Sequence, residues 1–395
     1  MIESYILDWL NLVIRWVHVI TGIAWVGASF YFVWLLNRLL PDENGDPKVA
    51  GQLWALHAGG FFHVQKRNIE PGALPTPLHW FKWEAYWTWV SGFALLVLIY
   101  YVGAERYLID PAVSDISASW AIALGLGVLA GGWLLYDLAW RSPLADRPGL
   151  LTILCCIALA LLAWGLCQVF SGRGAFIHVG ALLGTIMVAN VARVIMPSQR
   201  QLVAATERGE PQDASLARAA GLRSLHNNYI TLPVVFVMIS SHYPSTYGHA
   251  SNWLVLLGLF AVGALVRHYF NIRVRLGNYK PAWMLGVALV LMGVIAWFAA
   301  PRGGNLSEVP SVHVVSTILQ QHCAGCHADN PTYPGFTAPP KGVVIETIAQ
   351  AQRLAPSIHA QSVATKIMPL GNLTQMTDEE RKQLGAWIAA GTPSE

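Results

Sequence analysis

The stretch LLTILCCIALALLAWGLCQVF, residues 150–170, contains no charged residue. An α-helix needs about 20 mostly apolar residues to cross the hydrocarbon core of a bilayer. The stretch therefore predicts a transmembrane helix, which covers residues 149–171 when its flanks are included. Its cysteines, Cys155, Cys156 and Cys167, are expected to be buried and inert thiols.

The composition of the whole chain supports the same interpretation. Of the 395 residues, 54% are hydrophobic and 12% are charged, and the mean hydropathy is +0.45. These values exclude an ordinary soluble protein and predict an all-α, polytopic membrane helix bundle. The formal net charge of +3 gives no indication of a nucleic-acid partner. Eight segments are long and apolar enough to predict spans, namely 9–36, 84–103, 118–140, 149–171, 174–195, 228–243, 251–270 and 281–300.

The distribution of Lys and Arg predicts the orientation of these spans. With eight spans, one set of loops holds 16 Lys or Arg, and the opposite set holds only Arg106, Arg173 and Arg302. Cytoplasmic loops carry the excess of positive charge. We therefore expect the N-terminus and everything after residue 300 to lie on the side away from the cytoplasm.

A small soluble domain is predicted after the last span. PRGGNLSEVP, residues 301–310, is a linker rich in Gly, Pro and polar residues. It separates an integral membrane domain, residues 1–300, from an all-α domain, residues 311–395. Thr377 with Glu380 forms a capping-box pattern, which predicts the start of the last helix.

The stretch QQHCAGCHADNP, residues 320–331, contains the C-x-x-C-H pattern in Cys323, Cys326 and His327. Two thiols at this spacing can attach to one haem, and the following His can ligate its iron. A redox C-x-x-C or half of a zinc site would use the same cysteines, but no second C-x-x-C and no βαβ pattern accompanies them. We predict one covalent haem c. In bacteria this attachment takes place on the periplasmic side of the inner membrane, which agrees with the predicted orientation.

A second ligand of the haem iron is expected later in the chain. Met368 precedes Pro369, which would stiffen the loop that carries the thioether, so Met368 is the predicted second axial ligand. Met376 is the alternative, but its position just before the last helix suits packing better. His322, next to Cys323, is expected to lie at the surface.

Histidines inside the predicted spans suggest a further cofactor. A His within a span is costly without a partner, so it indicates either a function or an interhelical hydrogen bond. His18 and His178 lie in the outer half of two spans and could together ligate a haem b. Gly180, beside His178, would either admit a flat macrocycle or serve close helix packing.

The first predicted cytoplasmic loop, residues 37–83, is rich in His, Lys and Trp. Loops of this length are often functional. Its aromatic rings, with Lys82 for charge and His79 or Glu84 for proton transfer, would suit a site for a planar anion. The alternative is an interfacial aromatic belt with snorkelling lysines. We predict a catalytic role for His79, Lys82 and Glu84. A second polar patch on the same face consists of Asn190, Arg193 and LRSLHNNYITLP, residues 222–233.

Four stretches carry a resemblance to known families. The first three are RWVHVITGIAWVGASFYF (15–32), PLHWFKWEAYWTWVSGF (77–93) and LHNNYITLPVVFVMISSHYP (225–244). They resemble the membrane-bound urate hydroxylases, also called cytochrome-c-linked urate oxidases. The fourth, residues 311–391, resembles a class I cytochrome c.

The resemblance implies an oxidoreductase of purine catabolism that converts urate to 5-hydroxyisourate. Electrons would pass through haem c to a cytochrome c or a terminal oxidase of the respiratory chain, and not directly to oxygen. Only the haem ligands Cys323, Cys326, His327 and Met368 match family positions. Two rival hypotheses are a membrane-anchored cytochrome c subunit that takes electrons from quinol, and a transporter with a haem sensor. Eight spans are more than an anchor requires, and no paired broken helices indicate a transporter.

Overall fold

The computed structural model describes residues 2–41, 45–273, 280–300 and 309–394. It is mostly helical, with 69% helix and 5% strand. The helices up to residue 300, called the bundle below, are α1 (Ile2–Arg38), α2 (Trp83–Leu96), α3 (Ala104–Tyr107), α4 (Ala118–Ala139), α5 (Pro148–Cys167), α6 (Gly172–Asn190), α7 (Met196–Glu207), α8 (Ala214–Ser240), α9 (Pro244–Tyr247), α10 (Asn252–Ile272) and α11 (Trp283–Phe298). The helices after residue 309, called the C-terminal unit, are α12 (Val312–Leu319), α13 (Ile348–Arg353), α14 (Ala355–Ile358) and α15 (Asp378–Ala389).

Six helical stretches in the described ranges are long and apolar enough to cross a membrane. They are Tyr5–Arg38, Ala118–Ala139, Pro148–Cys167, Gly172–Glu207, Asn252–Ile272 and Lys280–Phe298. The two other predicted segments, 84–103 and 228–243, are helical as well. The first lies in α2, which continues into the π-helical turn Val97–Tyr101 and packs along α1, and the second lies in α8, which packs between α6 and α10.

The centre of the bundle is α6. Ala175, Phe176 and Val179 are fully buried, and α2, α4, α5 and α8 surround them. Gly180 lets α8 approach closely, because a Cβ at this position would lie 2.8 Å from the Cβ of Val237. A helix that is apolar on every face is suited to such a central position.

The loop after α1 contains a β-hairpin that the all-α prediction lacked. Strands β1 (Val49–His57) and β2 (Gly60–Arg67) pair in antiparallel fashion. Ala58 and Gly59 connect them with φ angles of +50° and +79°, as two-residue hairpin turns of type I′ require. Large apolar side chains occur on both faces of the hairpin, so the alternation of period two that reveals a strand is weak here.

The C-terminal unit has a hydrophobic core of its own. Leu384 and Trp387 of α15 are fully buried and pack with Val315 of α12. The capping box before α15 is present, with the Glu380 amide 3.2 Å from Thr377 Oγ1 and the Thr377 amide 2.7 Å from Glu380 Oε2. The predicted start of the last helix is therefore confirmed.

The C-terminal unit lies against the end of the bundle formed by α3 and α9. The short turn Leu370–Asn372 contacts α3, and a Cβ on Gly371 would lie 2.8 Å from the carbonyl oxygen of Glu105. Ile367 packs against the core of the bundle. Gly371 has a φ of +60°, so both the close approach and the backbone conformation favour glycine at this position.

Candidate functional site

The C-x-x-C-H sequence forms a helical turn after α12. The amides of Cys326 and His327 donate to the carbonyl oxygen of Cys323 at 3.2 and 2.9 Å. His327 Nδ1 lies 3.0 Å from the carbonyl oxygen of Val343. A carbonyl only accepts, so Nδ1 carries the proton and Nε2 is the nitrogen that can bind iron. The residues of this turn fit a covalently attached haem.

Two observations argue against a redox-active C-x-x-C or a zinc site at this turn. Burial raises the pKa of the Cys323 thiol to about 12. Burial also raises the pKa of Cys326, and the charge of Arg106 opposes that shift. Redox-active C-x-x-C thiols have lowered pKa values. A structural zinc site needs four ligands, and the described part of the chain contains no group of three or more His, Cys, Asp or Glu placed for a metal ion.

Met368 lies in a loop that the last helix holds in place. Arg381 of α15 donates from Nη1 to the carbonyl oxygen of Met368 at 2.6 Å and from Nη2 to Asn372 Oδ1 at 3.0 Å. Arg381 is buried, and this burial lowers its pKa. Met376 is only 3% exposed and packs in the core of the C-terminal unit. These positions are compatible with the predicted roles, Met368 as ligand and Met376 in packing.

His322 is not at the surface, so that expectation was wrong. The residue is 7% exposed. Its Nδ1 lies 2.7 Å from Thr374 Oγ1, and its Nε2 lies 3.1 Å from Glu380 Oε1. The ring therefore joins the C-x-x-C-H turn to the start of α15, through partners more than 50 positions away that local sequence does not reveal.

Arg106 of α3 links the bundle to the loop that follows the C-x-x-C-H turn. Its Nη2 donates to the carbonyl oxygen of Pro334 at 2.9 Å, and its guanidinium lies 5.4 Å from the centre of the Phe336 ring. That loop is tied to the turn, because the Tyr333 amide donates to the carbonyl oxygen of Gly325 at 2.8 Å. Both loops that flank the predicted haem therefore contact α3.

His18 and His178 occupy separate helix contacts. His18 Nδ1 lies 3.0 Å from the carbonyl oxygen of Thr88 in α2. His178 is fully buried, with Nδ1 2.8 Å from the Gly174 carbonyl oxygen and Nε2 3.2 Å from the Tyr101 hydroxyl. In this arrangement the surroundings of His178 do not fit a haem, because both ring nitrogens already have protein partners. These contacts give no support to the haem b that the sequence predicts at His18 and His178.

Glycines give both imidazole rings their space. Gly92 lies against the His18 ring and Gly125 against the His178 ring, where a Cβ would approach the ring atoms to 2.8 and 2.6 Å. Gly180, which could have faced a macrocycle, instead approaches α8. Close packing of helices and rings accounts for these three glycines.

The predicted catalytic residues of the first loop lie around the start of α2. His79 is exposed and meets Phe81 edge-on at 4.6 Å, and the Lys82 ammonium lies 5.2 Å from the Trp83 ring centre. The side chains of His79, Lys82 and Glu84 form no hydrogen bond with another described residue. Aromatic contacts of this kind also occur in an interfacial belt, so the catalytic role stays a prediction.

A cavity of about 370 Å³ lies between α1, α8 and α10. Its volume falls within the usual range for small-molecule sites. Asn252, at the other end of α10, precedes Arg267 by 15 positions, which corresponds to roughly 22 Å along the helix axis. The cavity is thus at the end of the bundle opposite α3 and α9. Its lining includes three aromatic rings, two arginines and one amide, namely Phe30, Trp34, Phe270, Arg267, Arg273 and Asn37.

Arg267 is a buried cation in this lining. It is 4% exposed, and its guanidinium carbon lies 4.0 Å from the centre of the Phe30 ring. Its Nε donates to Asn228 Oδ1 at 2.9 Å. Its Nη2 is buried and has no hydrogen-bond partner among the described residues, and the described lining contains no carboxylate.

Two asparagines beside Arg267 also have unused polar atoms. Asn271 Nδ2 donates to the same Asn228 Oδ1 at 2.8 Å. Asn228 Nδ2 and Asn271 Oδ1 are buried and lack partners within the part of the chain that the structure describes. Asn228 belongs to the polar patch predicted from sequence. Arg267 and Asn271 were missed because they lie about 40 residues later, on a different helix.

The other members of the predicted polar patch lie in a different network. Asn190 Nδ2 donates to Asn227 Oδ1 at 2.9 Å. Arg223, also buried, pairs with Asp137 at 3.2 Å, so this arginine has the carboxylate that Arg267 lacks. Arg193 is exposed. The patch was therefore predicted in part, but it divides between two sides of α8.

A comparison with protein families covers the bundle. The family model described as Urate oxidase N-terminal matches residues 4–299, which include the cavity, α3 and both intramembrane histidines. No curated protein and no solved structure matches the chain. Because the match extends over most of its length, the chain belongs to the urate oxidase family that this N-terminal region defines.

Proposed function

We propose that this chain oxidises urate to 5-hydroxyisourate at a bacterial inner membrane and passes the electrons to a haem c in its C-terminal unit. Family membership supports urate as the substrate and an oxidoreductase as the activity. The observation that carries the electron transfer is the contact between the two units. Arg106 and the carbonyl of Glu105 meet both loops that flank the predicted haem.

Four residues would hold the proposed haem, two by covalent attachment and two as ligands of the iron. Cys323 and Cys326 would form the thioether bonds, and His327 and Met368 would bind the iron. When bound, haem c would act as a one-electron acceptor. The excess of Lys and Arg in one set of loops supports a periplasmic position for this unit.

The stoichiometry of urate oxidation defines which steps the chain must carry out. Oxidation removes two electrons and two protons from urate and adds one whole water molecule to the oxidised ring, so two successive one-electron transfers are needed. The chain must bind an anion and move protons. Phe81, next to the exposed His79, contacts Phe32 of α1 at 4.9 Å, beside the cavity residue Val33. This contact joins the start of α2 to α1, and His79, Lys82 and Glu84 remain the proposed groups for proton transfer.

A single-turnover experiment tests the proposal. Urate is added without oxygen to the full-length ferric protein, and the haem α-band and urate absorbance are followed together. We expect the haem to become reduced and urate to disappear, with two haems reduced per urate. The variant Cys323→Ala with Cys326→Ala serves as control and should consume no urate.

The same experiment examines the alternative of an electron carrier from quinol to a terminal oxidase. A haem that urate leaves oxidised but that a quinol reduces would support the carrier and refute urate oxidation. The external acceptor, either a cytochrome c or a terminal oxidase, is then identified by which of them reoxidises the reduced protein.

A further inference from the structure

We infer that the cavity between α1, α8 and α10 binds a planar organic anion, with Arg267 as its counter-ion. The identity of that anion as urate rests on the proposed function. The charge, shape and hydrogen-bonding capacity of the cavity are independent of it.

The first observation is an unpaired buried charge. A buried guanidinium is costly unless it is paired or fully hydrogen-bonded. Arg267 is 4% exposed, its Nη2 has no partner among the described residues, and the adjacent lining arginine, Arg273, adds a second positive charge. Arg267 lines the cavity, so an anion bound there would neutralise its charge and, after a small rotation of the side chain, accept a charge-assisted hydrogen bond from Nη2.

A second buried arginine in the same bundle does have a carboxylate partner. Arg223, which faces away from the cavity, is also 4% exposed and its Nη1 also lacks a hydrogen-bond partner among the described residues, but its charge is paired with the Asp137 carboxylate at 3.2 Å. The fold therefore supplies a carboxylate for one buried arginine. For the other it supplies a cavity of about 370 Å³.

The second observation is the shape of the lining. The Arg267 guanidinium carbon lies over the Phe30 ring, 4.0 Å from its centre, and Trp34 and Phe270 add two more rings. Aromatic faces favour a flat ligand, and a guanidinium favours an acceptor in the plane of its fork. A flat, singly charged heterocycle such as the urate anion satisfies both conditions.

The third observation concerns how Arg267 is oriented. Asn228 Oδ1 accepts hydrogen bonds from Arg267 Nε at 2.9 Å and from Asn271 Nδ2 at 2.8 Å. These bonds restrict the orientation of the guanidinium. Asn228 is thus a positioning residue, and Arg267 is the residue that touches the ligand. The cavity lining itself adds the amide of Asn37, and a purine ring edge, where N–H and C=O groups alternate, offers matching groups.

Binding can be measured apart from turnover. The full-length protein is first reduced, so that its haem cannot accept electrons, and the dissociation constant for radiolabelled urate is measured by equilibrium dialysis. We expect Arg267→Met to weaken urate binding by roughly tenfold or more, as loss of a charged hydrogen bond does. The exposed Arg218→Met on α8 should leave binding unchanged and is the matched control.

Two further variants guard against a folding defect. Asn228→Asp has nearly the same shape and places a carboxylate against Arg267, so it should weaken urate binding and raise the thermal stability of the ligand-free protein. Val33→Trp fills the cavity and should block binding while Arg267 is intact. Caffeine, a neutral purine of similar outline, should bind weakly to the native protein and should not distinguish Arg267→Met from it.

The outcomes separate this inference from the proposed function. Unchanged urate affinity in Arg267→Met, Asn228→Asp and Val33→Trp would overturn the cavity as the site. Loss of co-purifying anionic phospholipid in Arg267→Met, with urate binding intact, would also overturn it and assign the cavity to a lipid headgroup. Tight, Arg267-dependent urate binding without any haem reduction in the ferric protein would keep the site and refute the oxidation.

Discussion

Single substitutions distinguish which of two methionines, Met368 or Met376, ligates the haem iron. Met368→Leu should abolish the weak near-infrared Met-to-iron band and lower the reduction potential, because the loop would lose its thioether. Met376→Leu should keep both, since Met376 is 3% exposed in a core where a swap of similar volume costs less than about 1.5 kcal/mol. Absorbance spectra and redox titration of both variants check this. The opposite pattern would assign the ligand to Met376.

The buried ring of His322 should contribute to the stability of the C-terminal unit. His322→Ala removes two hydrogen bonds, with the half-buried Thr374 and Glu380, so the free energy of unfolding should fall by about 1–3 kcal/mol. Urea denaturation followed by haem absorbance measures the change. His313→Ala is the control, because His313 is exposed and should have little effect.

A haem assay tests whether His18 and His178 bind a second haem. In the variant Cys323→Ala with Cys326→Ala, any haem left after purification is not covalent. The hydrogen bonds of His178 with Gly174 and Tyr101 lead us to expect no b-type signal in a pyridine haemochrome assay. A b-type α-band that His18→Ala or His178→Ala removes would instead establish the bis-His haem and require both rings to change partners.

At the level of elements, α15 positions the loop of the second iron ligand. Arg381→Met would remove the hydrogen bonds to the Met368 carbonyl and to Asn372, so the loop should become mobile. We expect a partial loss of the Met-to-iron band that grows with temperature, while the haem stays covalently attached. The exposed Arg353→Met should not change the band. An unaltered band in Arg381→Met would show that the loop is held by other contacts.

Elements also show where sequence reasoning succeeds and where it fails. The start of α15 was predictable because a capping box is local, with both partners within four residues. The hairpin Val49–Arg67 was missed because apolar residues on both faces weaken its period of two. Segments 84–103 and 228–243 were identified as helices from their apolar runs, yet their polar residues keep them out of the six stretches that meet the length and composition of a span.

The site of the cavity could not be predicted in the same way. Its lining comes from α1, α8 and the end of α10, so its members are separated by up to 243 positions. A lone Arg at the end of an apolar helix normally reads as a cytoplasmic flank. Only the fold shows that Arg267 turns inwards, towards Phe30 and Asn228. The C-x-x-C-H motif was visible because its spacing is local.

For the whole molecule, the contact between the bundle and the C-terminal unit should control electron delivery. Arg106→Ala removes the hydrogen bond to Pro334 and the contact with the Phe336 ring. The first reduction of the haem by urate should therefore become several-fold slower, while reduction by ascorbate, which needs no contact between units, keeps its rate. Stopped-flow absorbance measures both. Arg353→Ala, which removes an exposed charge elsewhere in the C-terminal unit, is the control, and equal urate rates in both variants would refute the role of Arg106.

The same contact implies an alternation between two partners. The loop of Pro334 follows His327 and the loop of Gly371 follows Met368, and α3 contacts both of them. An external acceptor that uses the same surface must wait until this contact opens. Each urate delivers two electrons, so steady-state turnover would follow the rate of opening, and a more viscous solvent would slow turnover without changing the first reduction.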